Sequence, residues 1–153
     1  MNIPVIEELQ VVGVADRGIA NKERILLRPL ISMNLQNFVL TLGVVAENAT
    51  KILPLPNFVF FFEDIVVEAM SWVVVYTGPG ESEVSRLPTT FEKAYSYHWG
   101  NSSTLFAGPL VLPVLFRITA IGFARADLPG WPQLLPSGAT IVQPPQVEAK
   151  ANA

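Results

Sequence analysis

The chain has no cysteine, which removes both a disulfide framework and any thiolate-ligated metal from consideration. It has one histidine, His98, so any imidazole acid–base chemistry must use that residue. Charge is scarce as well. Ten Lys and Arg and thirteen Asp and Glu make up 15% of the 153 residues, against roughly 25% in an average soluble domain. The net charge of −3 comes from scattered residues with no Lys/Arg cluster. This excludes the electrostatic footprint of a nucleic-acid binder and the polybasic segment of a protein held on anionic lipid. Helix signals are missing too, because 13 prolines and 10 glycines interrupt the chain at short intervals. Residues 1–8 (MNIPVIEE) lack the basic and apolar regions of a secretory signal, and the expected location is cytoplasmic.

What is present is apolar: half of the residues. A chain of this length has room for a single core, so residues 1–143 are expected to form one domain and 144–153 (PPQVEAKANA) a solvated tail. The most apolar stretch, 104–124, contains Gly108, Pro109, Pro113, Arg117 and Gly122. Two prolines and a central charge fit two buried strands better than a transmembrane helix. Alternation and β-branched runs predict strands over 9–15, 24–33, 37–46, 58–63 (led in by a kinked 52–57), 65–76, 91–99, 113–124 and 139–143. Pro29 marks 24–33 as an edge strand or a bulge, because proline cannot donate to a ladder. In 37–46, Phe38, Leu40, Leu42 and Val44 oppose Val39, Thr41, Gly43 and Val45, and both faces read as buried. About eight strands with little helix and no internal repeat define an all-β fold, a single-domain antiparallel β-sandwich or jelly roll.

No catalytic or cofactor pattern emerges. On strand 91–99, Thr90, Glu92, Ser96 and His98 share a face, but Glu92 and His98 are about 20 Å apart at roughly 3.3 Å per residue, too far for a nucleophile–base–orienter set. No GxSxG elbow surrounds a serine. Gly78-Pro79-Gly80 lacks the helix and Lys-Ser/Thr of a phosphate loop, and no Asp-rich calcium loop is present. Glu7-Glu8 and Glu63-Asp64 are adjacent carboxylates whose side chains point to opposite faces of a strand. Asn48-Ala49-Thr50 and Asn101-Ser102-Ser103 match a glycosylation pattern and are read as turn-forming segments. No metal, cofactor or catalytic residue is therefore assigned.

Two surfaces stand out instead. Between Asn101 and Val147 the only charges are Arg117, Arg125 and Asp127, so this third of the chain packs in the core or faces another molecule. Leu128, Trp131, Leu134 and Leu135, stiffened by neighbouring prolines, are the expected interface. The second surface is the other face of strand 91–99, where Phe91, Lys93, Tyr95, Tyr97 and Trp99 make an aromatic ladder. Lys93, Tyr95, Tyr97 and Trp99 are the candidate ligand-binding set, suited to stacking a sugar ring. The expected function is that of a non-enzymatic sandwich that self-assembles into a homo-oligomer or docks as a subunit of a larger complex. The alternatives are a glycan- or small-ligand-binding module on the aromatic face and a membrane-inserting or apolar-ligand-binding β protein.

Overall fold

The computed structural model describes residues 4–46, 48 and 51–120. Strand β1 (Leu9–Ala15) pairs antiparallel with β2 (Arg24–Pro29), and β2 with β7 (Trp72–Tyr76). Next to β7 lies β9 (Lys93–His98), and β8 (Glu83–Arg86) forms the far edge. The resulting five-stranded sheet runs β1-β2-β7-β9-β8. A second sheet has β4 (Phe38–Val45) between β10 (Val111–Arg117) and β5 (Ile52–Phe61), all antiparallel. A short pair, β3 (Met33–Asn34) with β6 (Val66–Val67), links the layers. One 3-10 turn follows β3, capped where the Asn34 side chain accepts from the Gln36 N–H.

One apolar core lies between the two sheets. It joins Ile25 and Leu27 of β2, Val73 and Val75 of β7, and Tyr95 and Tyr97 of β9 to Phe38, Leu40 and Leu42 of β4. Phe62 and Phe106, both fully buried, fill it from the connecting segments. One flank of the sandwich is closed by polar links between its edge strands. Arg117 of β10 pairs with Glu8, just ahead of β1, and Arg17 Nη1 donates to the Val111 carbonyl at 3.1 Å. On the other flank, Phe60 and Phe62 pack against Tyr97 with ring centroids 6.1 and 5.6 Å apart. Five strands lie over three, so β8 overhangs the smaller sheet there.

The all-β sandwich expected from the sequence is present, with several local departures. The β7–β9 pair is parallel. The chain leaves β7, passes over the end of β9, runs back as β8 and returns as β9 between the two. Strand 24–33 is not an edge: β2 has neighbours on both sides and stops at Pro29, its final residue. The expected 65–76 strand is split, because Met70 adopts a left-handed φ of 60° between β6 and β7. Phe91 also has a left-handed φ, 59°, so β9 begins at Lys93 and Phe91 points out of a turn, 70% exposed. The kinked 52–57 and 58–63 pieces form one strand with a bulge, where the register to β4 jumps between Thr41 and Leu42. Strand 139–143 and the expected interface residues Leu128, Trp131, Leu134 and Leu135 lie outside the described residues.

Candidate functional site

The outer face of the three-stranded sheet follows from its registers. Phe38, Leu40 and Leu42 of β4 point into the core, so Val39, Thr41, Gly43 and Val45 point away from it. Their partners share that side. Phe116, Val114 and Leu112 come from β10, and Phe61, Val59, Pro54 and Ile52 from β5. No residue of this set carries a charge. Its single hydroxyl, on Thr41, is turned into the β5 bulge and donates to the Leu55 carbonyl at 3.1 Å. Along its middle Val39, Thr41 and Gly43 are buried, while the flanking Ile52, Val59 and Phe116 are 50%, 37% and 43% exposed.

At the centre of that face stands Gly43. A Cβ there would lie 2.6 Å from both Ile52 Cγ2 and Val114 Cγ2. The Ile52 and Val114 side chains therefore close over the glycine, which is itself buried. The strand edges beside the face offer little for strand addition. Pro54 and Pro56 interrupt β5, and Pro113 interrupts β10.

The aromatic ladder predicted on strand 91–99 is not an exposed platform. Tyr95 and Tyr97 are buried in the core because β9 is a central strand whose inner face meets Phe60 and Phe62. Trp99 is half-buried with its ring against Phe60, 5.7 Å between centroids. Lys93 is tied to Glu68, whose hydrogen bond raises the Lys93 pKa.

The polar face of the same strand divides into two separate structural sites. At one end Glu92 accepts from Arg28 Nη2 (2.6 Å), Trp72 Nε1 (3.0 Å) and Thr90 Oγ1 (3.0 Å). The Arg28 bond first, then those from Trp72 and Thr90, pull the Glu92 carboxyl down to about 2. Arg28 also lies over the Trp72 ring at 4.4 Å. At the other end His98 stacks on Tyr76, with centroids 4.9 Å apart and planes at 10°. The crossover loop from β7 to β8 passes directly above, and a Cβ on Gly80 would fall 2.4 Å from the imidazole. His98 is thus clamped between a ring and a backbone, and Gly80 is the residue that lets the loop pass.

Sequence reasoning missed Glu23, which is 1% exposed. Its carboxylate accepts from the backbone N–H groups of Gly18 (2.7 Å), Leu105 (2.6 Å) and Phe106 (3.2 Å) and from Thr77 Oγ1 (3.0 Å). It pins three loops together. An isolated Glu between Lys22 and Arg24 reads as a surface charge, and nothing local signals otherwise.

Among the described residues no group of three or more His, Asp or Glu is placed to hold a metal, and no helix is long and apolar enough to cross a membrane. Comparison with protein-family models, curated proteins and solved structures finds no match to this chain.

Proposed function

We propose that this protein acts without catalysis, as an assembling β-sandwich subunit, and that the outer face of β10-β4-β5 packs on the same face of a second copy. The observation that carries this reading is the charge-free, Thr41-sealed surface centred on Gly43. An apolar face has no electrostatic partner to seek, and its natural complement is another apolar face. A second copy supplies one by two-fold symmetry. Proline-interrupted edges favour contact through the face rather than through strand addition.

Size sets the expected strength. Three strands about 4.8 Å apart and some 23 Å long at roughly 3.3 Å per residue present on the order of 300 Å². That is well under the ~800 Å² per partner of a standard interface. This face alone supports weak, concentration-dependent association, and a stable assembly draws on more surface. The scarcity of charge between Asn101 and Val147 supports the same reading on composition alone.

The test is sedimentation velocity on the full chain over a wide concentration range, beside a Val59→Asp/Phe116→Asp double variant. Both side chains are partly exposed, so the fold, checked by circular dichroism, should survive. The expected result is a weight-average mass that rises with concentration in the parent chain and stays monomeric in the variant. A parent chain that remains monomeric throughout, or a variant that associates equally well, defeats the proposal.

A further inference from the structure

Two residues with left-handed backbone, Met70 (φ 60°) and Phe91 (φ 59°), lie at the same end of the five-stranded sheet. β7 and β9 are parallel neighbours that both start there, with Trp72 beside Ala94, so the turns leading into them are adjacent. β2 ends at the same place. The Met70 N–H donates to the Pro29 carbonyl at 2.8 Å, and the Ala69 N–H to Ser32 Oγ at 3.1 Å. The loops carrying Ile31, Met70 and Phe91 therefore follow one another at the ends of strands about 4.8 Å apart. All three side chains are largely uncovered: Ile31 is 57%, Met70 51% and Phe91 70% exposed.

Neither turn accounts for its own residue. Met70 is the third residue of a turn closed from the Ser71 N–H to the Glu68 carbonyl at 3.3 Å, a position that glycine or asparagine fills at least cost when φ is positive. The Phe91 N–H closes the β8–β9 turn on the Leu87 carbonyl at 2.9 Å, a bond that uses nothing of the aromatic ring. In both places left-handed backbone crowds Cβ against the peptide. Packing offers little in return, because half or more of each side chain is uncovered. Strain that the fold does not repay points to a contact outside it.

The charges nearest these tips are already engaged. Arg28 holds Glu92 at 2.6 Å, Lys93 holds Glu68, and Arg86 Nη1 donates to the Phe91 carbonyl at 3.1 Å. Between Leu87 and Phe91 the loop is Pro88-Thr89-Thr90, without charge. This end thus offers apolar tips backed by neutralised polar groups, with no excess of one sign for a charged partner to read. The tips also stand on separate loops, so a rigid protein surface would need a pocket for each, whereas a fluid one conforms to them. We propose that Ile31, Met70 and Phe91 dip into the headgroup–acyl boundary of a neutral, zwitterionic phospholipid bilayer, with the Arg28–Glu92 and Lys93–Glu68 pairs at headgroup level. Such peripheral binding scales with the apolar area buried, and three partly covered side chains make it weak and reversible. The loops border the five-stranded sheet, so this contact is separate from association through β10-β4-β5.

The test is flotation of the full chain with phosphatidylcholine vesicles, in the Val59→Asp/Phe116→Asp background so that the other apolar face does not contribute. Flotation that persists in high salt is expected. Adding Met70→Asn/Phe91→Asn, whose side chains tolerate left-handed backbone, should lower the bound-to-free ratio about tenfold or more. The same pair should leave the melting temperature equal or higher. Ile31→Ser should lower the ratio by a smaller factor. Absence of flotation overturns the proposal, as does flotation that requires phosphatidylserine or disappears in salt. So does an Asn pair that floats unchanged or melts lower. If the chain does not float and the Asn pair instead abolishes self-association in sedimentation, the tips belong to a contact with a second copy and the lipid assignment fails.

Discussion

Glu23 is a buried acid held by donors rather than by a cation: three backbone N–H groups and one hydroxyl. Removing its side chain strands those N–H groups in the interior, where each unsatisfied donor costs about 1–3 kcal/mol. Glu23→Ala is therefore expected to lose about 3 kcal/mol or more, read from urea unfolding midpoints, although no functional surface is touched. Glu92 gives a different signature, because its pKa is lowered from 4.5 to about 2. A lowered acid pKa contributes stability above the unfolded value, and that contribution disappears as pH falls toward the folded one. The unfolding midpoint of the parent chain should drop between about pH 4.5 and 2. Glu92→Gln should start lower and fall less over the same window; parallel pH profiles would refute the Arg28 pairing as a source of stability. Of these residues the sequence disclosed the types but not the partners. Glu92 meets Arg28 across 64 positions and Glu23 meets Phe106 across 83, distances over which periodicity carries no information.

Strands were legible where patterning was strong. β1 spans the residues its alternation predicts, and β4 lies inside the predicted 37–46 run with both faces apolar. β8 was not legible: Glu83–Arg86 is four exposed residues that hold an edge through backbone pairing alone. The splits at Met70 and Phe91 escaped notice because left-handed backbone at bulky residues is imposed by tertiary context and not by propensity. The candidate face was half visible. The grouping of Val39, Thr41, Gly43 and Val45 on one side could be read directly, but which side faced outward depended on β10 and β5. At this scale Gly43 is the sharpest probe. Gly43→Val must displace Ile52 and Val114, both short β-branched side chains with little room to swing away. The expected loss is about 1–3 kcal/mol, as for other overpacked sites. Ile52→Ala in the same chain should recover part of it, and a double-mutant cycle with no coupling would contradict the close approach.

The described residues combine a closed flank, an overhanging flank and an uncharged outer face. Association through that face should persist or strengthen as salt rises, since no charges are available to be screened. Association that weakens steeply with salt would place the contact elsewhere. The fold class was legible from composition and punctuation alone. The stacking of five strands over three was not, because it rests on pairings between distant parts of the chain. One of these pairings also has a consequence in time. β4, apolar on both sides, is joined by β10 across separations from 67 residues (Val44 to Val111) to 79 (Phe38 to Arg117). At about 5–20 residues per second of synthesis, its unpaired edge waits roughly 4–15 s on the ribosome for the strand that completes the sheet. During that interval the nascent chain is a substrate for chaperones and for its own neighbours on a polysome.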